Sequence, residues 1–141
     1  MIITSLGISA AHHEALEKAG QDIPDPVQCR FLLDTGADTT IVKHEVAEQA
    51  GLKLINDNVP LHGIGVDTTG RTYMGRIIFG YQSKVVPSVT HTVYVETQVA
   101  SGTLNLPTID GVIGRDVLTH FQLIYDGQTG QVRMRYHRPP S

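Results

Sequence analysis

The sequence predicts a small β-rich domain with a few short helices. Three observations carry that expectation. Apolar and β-branched segments of strand length recur along the chain, fourteen glycines punctuate them, and one run, Phe31-Leu32-Leu33, stops abruptly at Asp34-Thr35-Gly36. An apolar run closed by such a turn reads as a buried strand that presents one carboxylate, Asp34, at its end.

In chain order, Met1 to Ile8 has the β-branched content of a strand. Ser9 is placed to cap a helix over residues 10 to 19, with Glu14 and Lys18 in the favourable order four apart and Gly20 as the stop. The loop Ile23-Pro24-Asp25-Pro26 leads to a strand over 27 to 33 that delivers Asp34. Ile41-Val42 resumes extended backbone, and residues 43 to 50 read as a short helix closed by Gly51. The segment from Leu61 to Arg76 holds four glycines in sixteen residues between strand-like flanks, the pattern of a hairpin. Strands are expected over 76 to 80, 84 to 87 and 89 to 95, and an unpatterned loop over 97 to 108. Residues 109 to 118 are a second motif, with apolar residues leading into Gly114-Arg115-Asp116; taken by itself, Arg115 reads as a surface arginine opening a helix over 115 to 121. A last hairpin is expected from 122 to 125 and 131 to 136 around Asp126-Gly127-Gln128-Thr129-Gly130, followed by a tail over 137 to 141.

At 141 residues the chain is one domain's worth, and 40% hydrophobic with 18% charged residues is an ordinary globular composition. The net charge of −3 and the lack of a basic block give no support to a nucleic-acid partner or an anionic membrane. Arg133, Arg135, His137 and Arg138 read as a solvated strand edge. No stretch is long enough to cross a bilayer, and the amino terminus makes a poor signal peptide, so a cytoplasmic protein is the expectation. Cys29 is the single cysteine and reads as a passive side chain without an intrachain partner. The seven histidines show no short ligand spacing of the zinc type, so no metal is expected; no serine or cysteine nucleophile sits in an activating motif. Gly63-Ile64-Gly65 lacks the third glycine and following helix of a phosphate loop.

A carboxylate beside a hydroxyl at a strand end is able to bind a water and take its proton, yet amide hydrolysis also needs an acid for the leaving nitrogen. Two carboxylates sharing one proton supply both, because like charges in contact do not both ionise. This chain has a single Asp-Thr-Gly.

Asp34-Thr35-Gly36-Ala37-Asp38, followed by Asp110-Gly111-Val112-Ile113-Gly114-Arg115-Asp116-Val117-Leu118, resembles the retropepsins, the single-domain aspartic peptidases of retroviral type. The resemblance spans residues 27 to 136. It implies an all-β, closed-barrel acid-protease fold with one lobe per chain, so that residues 1–141 form a single retropepsin-like domain with 10–26 as an insertion. It further implies an aspartic endopeptidase whose dyad forms across a homodimer, with a polypeptide substrate and no cofactor. Asp34, Thr35 and Gly36 take the catalytic positions by this resemblance. Ala37, Asp38, Gly63, Ile64, Gly65, Val112 and Ile113 fall at substrate-binding positions, and the 61–76 hairpin falls at the flap. Gly114 lets its strand pack closely behind the Asp34 turn, and Arg115 braces that turn through a buried pair with Asp38. The terminal strands are candidates for the dimer interface. Ala37 offers no hydroxyl to the carboxylate, which implies a rate optimum less acidic than that of pepsin-like enzymes. The alternative is a retropepsin-like binding or dimerisation module with little or no proteolysis.

Overall fold

Ile2, Thr4, Leu6 and Ile8, every second position of the first strand, turn inward, and that alternation sets which face of each strand meets the core. The computed structural model describes residues 1–63, 66–82, 88 and 90–137. Its elements in order are β1 (Ile2–Ile8), α1 (Ala10–Lys18), β2 (Val27–Leu33), β3 (Ile41–Lys43), α2 (His44–Gln49), β4 (Lys53–Gly63), β5 (Val66–Gln82), β6 (Thr90–Gly102), β7 (Gly111–Ile113), α3 (Arg115–Leu118), β8 (Phe121–Tyr125) and β9 (Val132–Tyr136). Most of the described residues lie in strands and the helices are few and short, so the all-β expectation holds.

Six strands close a barrel in the order β1-β2-β7-β3-β6-β5, with β5 returning to β1. β4 lies outside the ring, paired among the described residues with β5 alone. Closure leaves few free edges. β1 uses Ile2 to Leu6 against β2 and Ser5 to Ile8 against β5, so among the described residues Ile2 to Thr4 lack a β5 partner and Gly7 and Ile8 lack a β2 partner. Leu6, Phe31, Val42, Ile77, Val99, Ile113 and Val117 fill the interior with no exposed surface. Each such side chain contributes roughly 1.5–3 kcal/mol of transfer free energy.

The helices follow their expected boundaries closely. Ser9 caps α1 by accepting from the His12 amide at 3.1 Å, and Lys18 pairs with Glu14 at 2.9 Å. Gly51 ends α2 at φ +69, a left-handed conformation that side chains with a Cβ avoid. The final hairpin forms as β8 and β9, which make their own two-stranded sheet. Phe121, Leu123, Met134 and Tyr136 pack its inner face on the barrel.

Two expectations need correction or fall outside. Residues 97 to 102 are not loop: β6 continues through Gly102, held between β5 and a parallel β3. Val99, Ala100, Ser101 and Gly102 are all buried, so this stretch shows none of the alternation that marks a half-exposed strand. The strand expected over 84–87, residue 89, and 138–141 of the tail lie outside the described residues. Among the described residues no helix is long and apolar enough to cross a membrane.

Cys29 is buried in the middle of β2. Burial, and secondarily the negative charge of Asp110, push its thiol from an ordinary 9.0 up to about 12. The sign follows: the folded chain keeps this proton where the unfolded chain releases it, so the stabilisation is complete below pH 9.0 and is lost as pH rises toward about 12. A thiol reagent at about pH 8 is therefore expected to leave Cys29 unmodified in native protein and to label it rapidly in denaturant. Rapid stoichiometric labelling of the native chain would contradict this burial.

Candidate active site

The Asp34 turn is built by two parallel strands and the loops that leave them. β2 and β7 run side by side, Phe31 opposite Gly111 and Leu33 opposite Ile113. The ladder continues one step past β2, where the Asp34 amide donates to the Ile113 carbonyl at 3.0 Å. The chain then turns, the Ala37 amide donating to the Asp34 carbonyl at 3.2 Å. One carboxylate oxygen of Asp34 accepts the Gly36 amide at 2.8 Å, which fixes the side chain over its own turn. Asp34 is half-buried, while Thr35 and Gly36 are exposed.

The second motif clamps this turn from behind. The Arg115 amide donates to the Ala37 carbonyl at 2.8 Å, and the Asp116 amide to the Asp38 carbonyl at 3.3 Å. Gly114 is needed for that approach: a Cβ there would sit 2.8 Å from the Ala37 oxygen and from the Thr39 carbonyl carbon and oxygen. Arg115 forms the expected ion pair with Asp38 and also donates to the Thr35 carbonyl at 3.2 Å. The pair is not buried, contrary to expectation, with side chains 57% and 82% exposed in the single chain. Arg115 opens α3 at the surface.

Sequence reasoning missed a carboxylate cluster beside this clamp. Both oxygens of Asp116 are used twice. One accepts the Thr40 hydroxyl at 2.8 Å and the Val117 amide at 2.9 Å; the other accepts the Thr40 amide at 3.1 Å and the Thr97 hydroxyl at 2.9 Å. Thr40, with no exposed surface, in turn accepts the Gly114 amide at 3.1 Å. The available signal was the two short polar side chains following Asp38, of which Thr40 alternates inward.

The remaining residues divide. Ala37 and Val112 are half-buried near the turn. Ile113, expected at substrate, is fully buried in the core, because alternation along β7 points it inward. Gly63 closes the β4–β5 ladder opposite Val66, whereas Ile64 and Gly65 lie outside the described residues. A cavity of about 920 Å³ lies elsewhere, under β8–β9, lined among others by Ile2, Phe79, Val93, Phe121 and Met134 and by no residue of the Asp34 turn. Asp34 thus sits on a surface of the single chain rather than inside that cavity. Among the described residues no group of three or more His, Cys, Asp or Glu side chains is arranged to hold a metal ion.

A family model described as aspartyl protease matches residues 21–117, from the loop before β2 through α3. The match includes both motifs and leaves β1, α1, β8 and β9 outside. No curated protein matches the chain significantly.

Two substitutions test the clamp. Asp116→Asn is expected to destabilise by about 1–3 kcal/mol, since each oxygen faces a backbone amide and an NH₂ group in either place leaves one donor unpaired. Gly114→Ala is expected to cost at least as much, about 1–3 kcal/mol or more, because the obstructing atoms are backbone. Urea denaturation with midpoints equal to wild type for both would show that the clamp is not what holds the turn.

Proposed function

The chain belongs to the retropepsin-like aspartyl protease family, and from that premise we propose that it is an aspartic endopeptidase active as a homodimer. The observation that carries the reading is Asp34 itself: one half-buried carboxylate on a rigidly framed turn, flanked by exposed Thr35 and Gly36. Half of an acid–base pair stands on a surface where a second copy could meet it.

In the assembled pair each chain supplies one Asp34. One carboxylate takes a proton from a shared water as the oxygen attacks the amide carbon; the other, protonated, gives its proton to the departing nitrogen, so an acid and an amine leave. Thr35 offers its hydroxyl to the partner turn, while Ala37, Asp38, Gly63, Ile64, Gly65 and Val112 bind the polypeptide. The β4–β5 hairpin serves as the cover that excludes water. Arg115 and Gly114 support the turn.

The β8–β9 sheet suits the seam between copies. Two strands alone are marginal, and among the described residues neither outer edge pairs with a further strand, while the His137 amide extends the inner ladder by one step to the His120 carbonyl at 2.9 Å. Ile124, Tyr125 and Val132 are exposed there. Two such hairpins side by side would make a four-stranded sheet. Residues 1–141 are read as one domain, with 10–26 an insertion carrying α1.

The decisive measurement combines mass in solution with activity. The expected mass is twice 15.4 kDa. Cleavage of a denatured polypeptide should fall by roughly 10³-fold or more in Asp34→Asn at unchanged dimer content. Cleavage retained by that variant removes Asp34 from the mechanism, and absence of cleavage by either form favours a binding module.

A further inference from the structure

The β4–β5 hairpin leaves the barrel at a definite point. β5 stays paired with β6 up to Arg71 opposite Ser101; beyond it, Val59 to Gly63 and Val66 to Gly70 pair only with each other among the described residues. At that departure point one leucine lies against two glycines. A Cβ at Gly70 would fall 2.5 Å from the Leu61 Cδ1 methyl and would collide with the Ser101 carbonyl oxygen. A Cβ at Gly102, the last residue of β6, would fall 2.9 Å from the same methyl. The methyl occupies space that any other residue at either position would fill. Arg71, next in line, reaches Glu48 of α2 at 3.5 Å, so the root of the arm is tied to the barrel on a second side.

We propose that Leu61, seated between Gly70 and Gly102, is the latch that sets the resting position of the hairpin arm against the barrel. Its catalytic meaning rests on the cover role proposed above, but the latch itself is a packing relation within one chain. A shallow seat made from two missing side chains holds the leucine by dispersion and burial without enclosing it. Such a contact is strong enough to favour one arm position and weak enough to open without unfolding the barrel, whose interior it does not enter.

The test measures arm position directly, in full-length protein. Spin labels are placed at Val66→Cys and Gln49→Cys in a Cys29→Ala background, diluted with unlabelled chain, and the distance distribution is read without substrate. Leu61→Ala is expected to broaden the distribution roughly twofold. Gly102→Ala, which presses on the leucine methyl, is expected to shift its centre. Combined with Leu61→Ala, the Gly102→Ala shift should vanish, because its obstacle has been removed. Gly102→Ala alone carries the test if Leu61→Ala does not fold. A distribution unchanged by either substitution, or a Gly102→Ala shift of equal size with and without Leu61, overturns the latch. If the distances change as expected while cleavage of a denatured polypeptide by these variants equals wild type, the latch stands and the cover role falls.

Discussion

The close approach of the Gly114 backbone to residues 37–39 is the constraint on which the rest of this molecule depends. It brings β7 alongside β2, and the ladder between them carries Asp34 to the end of a strand whose register is fixed by a packed interior. With a side chain at 114 the two motifs could not share that space, and the Arg115 and Asp116 amides would lose their acceptors on Ala37 and Asp38. Asp34 is positioned almost wholly by main-chain bonds, and its carboxylate adds one more, from the Gly36 amide.

The two acids around this frame behave differently for physical reasons. Asp116 meets four donors, two of them backbone amides and two of them threonine hydroxyls, and it belongs to the fold. Asp38 meets Arg115 in the open, where ion pairs typically contribute less than about 1 kcal/mol to stability. The exposed pair therefore contributes little to folding one chain. Its value lies in orientation: Arg115 also donates to the Thr35 carbonyl, so its side chain links the two ends of the turn.

Much of this was legible in the residues. The two motifs identified the turn, Ser9 and Gly51 marked helix ends, and Gly114 foretold the close crossing. What stayed hidden had a common cause, since sequence patterns report one neighbour at a time. Residues 99 to 102 lie between two strands with both faces covered, so their small side chains carry no alternation to read. Ile113 and Val112 are both apolar, and only the pairing of β7 with β2 and β3 decides which of them turns inward. Asp116 follows an arginine and precedes a valine, a setting that does not distinguish a solvated acid from one gathering four donors. Arg115 was expected to be buried because its pairing was foreseen, yet pairing and burial are separate properties.

A single chain leaves three things unfinished at once. One Asp-Thr-Gly supplies one carboxylate, the Asp38–Arg115 pair is exposed, and among the described residues the β8–β9 sheet pairs with no further strand and carries apolar side chains at its tip. Each of these taken separately would be an ordinary surface feature. Under the proposed two-fold pairing, burying the turns would strengthen every charge interaction around them. Half-burial of the Asp34 carboxylate avoids the desolvation cost of enclosing an unpaired charge.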